Sequence, residues 1–209
     1  HNIDLPSFRG AGCHSWRIMM NEMHSTLNIH LVSDKLDQGD VLLKKKIKIP
    51  KHIKNLTETY NYLVPHEIDL FDKFVKKLLS NKLNRIKQNN SKSFYWPSLK
   101  TSVNGFIDWS WSSRDIILFS NAFDAPFFGA STFLNGHKIH LTKAKISDKK
   151  KFHPFQIGII YRRINSRIFI VTSDGSVSFN FLNPNKIKYK LGDRVYTNPK
   201  SILASRGIK

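Results

Sequence analysis

Between residues 81 and 101 the hydrophobic pattern of this chain lapses, and the two flanking regions differ in texture. Asn81-Lys-Leu-Asn-Arg-Ile-Lys-Gln-Asn-Asn-Ser-Lys-Ser93 is polar and basic. Such a run cannot bury enough apolar surface to form a core, so it reads as a linker. The chain then divides into residues 1–80, a basic linker over 81–101, and residues 102–209.

Before the linker, residues 12–22 read as a short helix with Trp16, Met19 and Met20 on one side. Thr26 to Val32 alternates as a strand, with Leu27, Ile29 and Leu31 on one face and Asn28, His30 and Val32 on the other. A polar turn over Asp34 to Gly39 leads into a second strand, Asp40 to Ile49, which Pro50 ends. Helical spacing fills residues 56–80, where Pro65 predicts a kink or a split. The order helix, strand, strand, long helix suits the second half of an α/β domain.

After the linker comes a helix over Ser112 to Phe123, opened by Ser112-Ser-Arg-Asp115, which has the form of a capping box. Short strands follow over Ser131–Leu134, Lys138–Ile146, Gln156–Arg163, Arg167–Thr172 and Val177–Phe181. Asn135-Gly136, Asn165-Ser166 and Asp174-Gly175 supply the turns. These elements predict a small open barrel of the OB type.

Hydrophobic residues make up 40% of the chain, enough for a packed core. No apolar run is long enough to span a bilayer, so no membrane role is expected. The one cysteine, Cys13, rules out an internal disulfide and a cysteine-built metal site. The remaining histidines show no ligand spacing with carboxylates, so no metal is expected. Lys and Arg outnumber Asp and Glu by 34 to 15, a net charge of +19 that favours polyanionic or phosphorylated partners. Trp109 and Trp111 read as packing anchors.

Two segments near the start carry candidate chemistry. His1 precedes Leu5-Pro6 and Phe8-Arg9-Gly10, which places it at a strand end entering a loop. Asp37-Gln38-Gly39-Asp40 forms a sharp turn that Gly39 permits. A histidine and a carboxylate at neighbouring strand ends are the parts of an acid–base site.

At these residues the chain resembles the 10-formyltetrahydrofolate-dependent formyltransferases. The resemblance runs through His1, Leu5-Pro6, Arg9-Gly10, Ile29-His30-Leu31-Val32 and Leu36-Asp37-Gln38-Gly39-Asp40-Val41. A second block comprises Gly105-Phe106-Ile107-Asp108-Trp109, Pro126-Phe127-Phe128-Gly129-Ala130 and Phe133. The resemblance implies the second half of a Rossmann-like catalytic domain followed by an OB-like barrel. It makes His1 and Asp37 catalytic, places Leu36, Asp37, Gly39 and Asp40 at the folate, and gives Arg9, Gly10 and His30 supporting roles. The family's third catalytic group, an asparagine two residues before the histidine, would precede residue 1. The chain is therefore expected to be a piece of a longer protein, and inactive alone.

The implied reaction moves a formyl group from 10-formyltetrahydrofolate to an amine in the cytoplasm. The acceptor is initiator methionyl-tRNA, favoured by the basic linker, or a nucleotide-linked amino sugar, favoured by Phe94-Tyr95-Trp96-Pro97. A non-catalytic nucleic-acid-binding or scaffold protein on the same fold is the reading outside enzymology.

Overall fold

The computed structural model describes residues 1–182 and 188–207. The chain divides into two compact units, His1–Ser98 and Leu99–Lys209.

In the first unit, β1 (Arg9–Gly10) leads to α1 (Cys13–Met19), then to β2 (His24–His30) and β3 (Val41–Lys48). The long helix α2 (Leu56–Leu79) follows, and the unit ends with β4 (Tyr95–Trp96). β2 and β3 pair antiparallel, with Leu27 opposite Lys45 and Ile29 opposite Leu43. The register then shifts so that His30 faces Val41. The extra residue on β3 is a bulge, a device that re-aims side chains at a strand end.

Leu27, Ile47 and Ile49 from the ribbon meet Leu63 and Leu70 from α2 in the core of this unit. The other face of β2 is covered as well: Asn28 Nδ2 donates to the carbonyls of His1 and Ile3, at 3.1 and 2.8 Å. β2 is thus buried on both faces, and Thr26 and Asn28 are buried with Leu27. Leu31 and Val32 lie beyond the strand, and Val32 is 96% exposed.

Helix α2 is not split at Pro65, which lies inside one continuous 24-residue helix. A proline removes one ladder bond, but Leu63 and Leu70 pack on the sheet from either side of it. Tertiary packing of this kind outweighs local propensity. Asn55 caps the helix by accepting from the Glu58 amide at 2.9 Å.

Part of the expected linker has contacts of its own. Ile86 exchanges two backbone bonds with Val41, both 2.9 Å. Gln88 is buried, and β4 pairs in parallel with β1. Trp96 stacks on Phe8 at 5.4 Å and donates from its indole to the Ser7 carbonyl.

The second unit holds α3 (Thr101–Asn104), α4 (Ser113–Ala122), β5 (Ala130–Leu134), β6 (His137–Asp148), β7 (Ile160–Ile164), β8 (Arg167–Thr172) and β9 (Gly175–Phe181). β10 (Val195–Tyr196) and α5 (Pro199–Arg206) complete it. The sheet order is β10-β5-β6-β9-β8-β7, with every pair antiparallel.

This sheet curls. Val195 pairs with Leu134 at one edge, while its amide donates to the Gly158 carbonyl, just before the opposite edge strand. Ile160 exchanges bonds with Asp193 and Gly192 in the same place. Ile116 of α4, Trp109, Leu141, Ile168 and Phe179 lie in the core so enclosed. Gln156 belongs to a 3-10 turn (Pro154–Gln156) rather than to the strand expected to begin there, because His153 caps that turn and Pro154 starts it.

Candidate active site

Four segments of the first unit converge on Asp37. The carboxylate sits in a turn at φ +55, a left-handed conformation that aspartate tolerates better than most residues. Gly39 follows because a Cβ there would lie 1.8 Å from the Leu31 carbonyl oxygen. The Leu31 amide in turn donates to the Asp40 carbonyl at 3.0 Å, which closes the loop at the end of β2.

Oδ2 of Asp37 accepts the Gly10 amide at 2.8 Å. His1 Nδ1 stands 3.7 Å from that oxygen, and His30 Nε2 stands 3.8 Å from Oδ1. The imidazoles meet edge to face, with centroids 6.2 Å apart.

Backbone carbonyls orient both rings. His1 Nε2 lies 2.6 Å from the Phe8 carbonyl, and His30 Nδ1 lies 3.0 Å from the Leu31 carbonyl. A carbonyl only accepts, so these nitrogens carry the protons and the other nitrogen of each ring faces Asp37. One carboxylate is therefore flanked by two histidines and anchored by one amide. This arrangement can hold a charged imidazole beside a reacting carbonyl and pass a proton.

The other expected residues fall on the same turn or behind it. Asp40 is half-buried beside Gly39, and Leu36 is 58% exposed on the turn. Arg9 is 5% exposed and bonds Gln88 and Asn90 rather than the Asp37 carboxylate. Gly10 takes φ +103, and a Cβ there would lie 2.2 Å from the Trp96 carbonyl oxygen.

Two neighbours carry no motif signal. Cys13 Sγ lies 3.8 Å from His1 Nε2 and 3.2 Å from the Gly10 carbonyl. Burial, reinforced by Asp37, pushes its thiol up to about 11, so it stays protonated and is a weak nucleophile. Gln88 comes from the stretch expected to be a linker and bonds the Asp37 turn directly. Among the described residues no group of histidine, cysteine or carboxylate side chains could hold a metal ion.

Residues 100–192 match the model of the formyl transferase C-terminal domain. A methionyl-tRNA formyltransferase of Clostridium perfringens is 33% identical over 116 residues, covering 56% of this chain and 37% of that protein. The chain is similar to members of the formyltransferase family, and residues 100–192 carry the likeness to that family's C-terminal domain. A second family relative, the bifunctional polymyxin resistance protein ArnA of Wigglesworthia glossinidia brevipalpis, is 29% identical over 148 residues, covering 70% of this chain and 22% of that protein. The chain thus spans between a fifth and two fifths of these relatives.

Among solved structures, HypX from Aquifex aeolicus superposes with a TM-score of 0.68 at 19% identity, over 86% of this chain and 31% of HypX. An N-formyltransferase from Helicobacter canadensis, in complex with folinic acid and dTDP-3-aminofucose, gives 0.61 at 20% identity, over 85% of this chain and 63% of that one. At these identities the likeness shows that this chain and those structures share a fold.

Proposed function

We propose that this chain carries part of the site that moves a formyl group from 10-formyltetrahydrofolate to an amine, as in methionyl-tRNA formyltransferases. The convergence of His1, His30 and the Gly10 amide on Asp37 carries this reading. His1 and Asp37 are its catalytic pair. Leu36, Asp37, Gly39 and Asp40 border the folate, while Arg9, Gly10 and His30 support them.

In the reaction, the acceptor nitrogen attacks the formyl carbon and the carbonyl π electrons move onto oxygen. His1, as an imidazolium, stabilises that oxyanion. Asp37 holds the imidazolium charge and receives the proton the acceptor nitrogen loses. When the oxyanion collapses, the bond from carbon to the folate nitrogen breaks. A proton then returns to the leaving nitrogen, so protons balance. An upstream asparagine, as the family resemblance implies, would add a second donor to the oxyanion, worth about 2.7–4 kcal/mol.

We further read the whole as a Rossmann-like half-domain followed by an OB-like barrel, divided as 1–80, 81–101 and 102–209. Its setting is the cytoplasm, and no described helix is long and apolar enough to cross a membrane. Methionyl-tRNA is the favoured acceptor, supported by the net charge of +19 and by the Clostridium relative. A nucleotide-linked amino sugar is the second, supported by the ligand named for the Helicobacter structure.

The test measures formyl transfer by the protein at its full natural length. Transfer to methionyl-tRNA, with binding that weakens with salt at a logarithmic slope of about −0.7 to −0.9 per phosphate, supports the first acceptor. Transfer only to a dTDP-linked amino sugar selects the second. Transfer to neither overturns the proposal.

A further inference from the structure

Gln88 lies 51 residues from Asp37 in a stretch with no motif, yet it is 8% exposed and every polar atom of its amide is used. Its Nε2 donates to the Asp37 carbonyl at 2.9 Å and to the Gly39 carbonyl at 2.7 Å. Its Oε1 accepts from Arg9 Nε at 3.2 Å and from Nη2 at 2.9 Å. The amide orientation follows from chemistry alone, since carbonyls only accept and a guanidinium only donates.

Arg9 gives this contact its weight. The guanidinium is buried, and its side-chain partners are the neutral oxygens of Gln88 and Asn90, the latter at 2.9 Å. Among the described residues no carboxylate lies in ion-pair range of it. A buried charge met only by amide oxygens is costly, and an uncharged residue in place of Arg9 would serve stability better. What this arrangement does supply is geometry. Arg9 precedes Gly10, whose amide holds Asp37 Oδ2, and Gln88 joins Arg9 to the backbone on both sides of Gln38. The strand that donates to the carboxylate and the turn that carries it are thereby tied together.

We propose that Gln88 is a positioning residue for the Asp37 carboxylate, acting through the turn at residues 37–39 and through Arg9. This rests on the formyl-transfer reading of His1 and Asp37. Gln88 bonds the backbone of the turn and not the carboxylate itself. It holds the carboxylate oxygen where the Gly10 amide and His1 meet it.

The test uses Gln88→Leu and Gln88→Glu in the protein at its full natural length. Gln88→Leu leaves the buried Arg9 charge with Asn90 as its remaining side-chain acceptor and risks the fold. Gln88→Glu keeps an acceptor for Arg9, now a charged one, and replaces the donors to the turn with an oxygen that repels the two carbonyls. Two readouts apply to each folded variant: hydrogen exchange of the Gly10 amide, and steady-state formyl transfer. In Gln88→Glu the Gly10 amide should exchange at least about tenfold faster, since its acceptor is displaced. The kcat should fall about 10²-fold, the cost of a misplacement near 1 Å.

In an Asp37→Asn background Gln88→Glu should cost nothing further, because both changes act on one group. Unchanged Gly10 exchange, unchanged kcat, or losses that multiply in the double variant would overturn the proposal. If Asp37→Asn itself retains full transfer, the formyl-transfer reading fails instead, and Gly10 exchange still judges the clamp.

Discussion

The Gly10 amide donates to Asp37 Oδ2 at 2.8 Å across 27 residues of sequence. Strand geometry makes the bond available. The Arg9 and Ala11 amides donate to the Phe94 and Trp96 carbonyls at 3.0 Å, so the amide between them points the other way. A two-residue strand thereby pairs with β4 on one side and presents a lone donor on the other.

Gly10→Ala should break this relationship. The new Cβ would sit 2.2 Å from the Trp96 carbonyl oxygen, on a backbone at φ +103. The conformational strain alone is about 1–3 kcal/mol, and the β1–β4 contact must open in addition. Denaturant unfolding should show at least that loss. A variant as stable as the parent would show that this backbone relaxes freely.

Asp37→Asn should leave the fold intact, because the amide oxygen still accepts from Gly10. Formyl transfer should fall about 10²–10⁴-fold, the usual worth of a positioned proton-transfer group. The comparison requires matched unfolding curves and kcat measured on the same samples. Undiminished kcat removes Asp37 from the chemistry.

His14 sets a pH dependence unrelated to the reaction. Both its ring nitrogens are buried without a partner, against the edge of Tyr60. Burial, then the nearby Arg17, lowers its pKa from 6.5 to about 4. The unfolded chain therefore binds the proton first as pH falls. The histidine leaves stability undiminished above about pH 6.5, erodes it between pH 6.5 and 4, and stops changing it below 4. The span is on the order of 3 kcal/mol. His14→Phe should flatten that part of the stability–pH curve, and an unchanged curve would show that His14 is hydrated or partnered.

Asp174 anchors the start of α4. Its Oδ1 accepts from the Ser113 amide at 2.7 Å and from the Ser113 hydroxyl at 2.6 Å. The hydroxyl bond is the main reason its carboxyl titrates below the usual value of 3.8. Asp174→Ala should cost about 1–2 kcal/mol at neutral pH. Because the folded form holds the charged carboxylate, the gap between parent and variant should narrow as pH falls through the carboxylate's folded-state range. A gap that persists in acid would assign the loss to packing.

Local pattern carried most of the secondary structure. Period-2 and period-3.6 spacing marked β2, β3 and α2 to within a few residues, and Ser112 caps α4 by accepting from the Asp115 amide at 3.1 Å. The split that Pro65 allowed does not occur, because a local rule knows nothing of Leu63 and Leu70 packing on either side. The stretch after residue 81 shows the same limit of local pattern. Its polar composition is that of a linker, but Gln88 and Ile86 find partners in the Asp37 turn and in Val41 that no spacing reveals.

His1, Asp37, Gly39 and Gly10 could all be named from the sequence, because each belongs to a motif with a chemical or steric reason. Their distances could not. The bulge between Ile29 and His30, the two carbonyls that orient the imidazoles, and the amide left over from β1 pairing bring His1 and His30 to opposite oxygens of one carboxylate. Residue types and turns follow from side-chain chemistry within a few positions. Convergence depends on how unsatisfied backbone donors and acceptors from distant segments pair once water is excluded, and only the folded chain decides that.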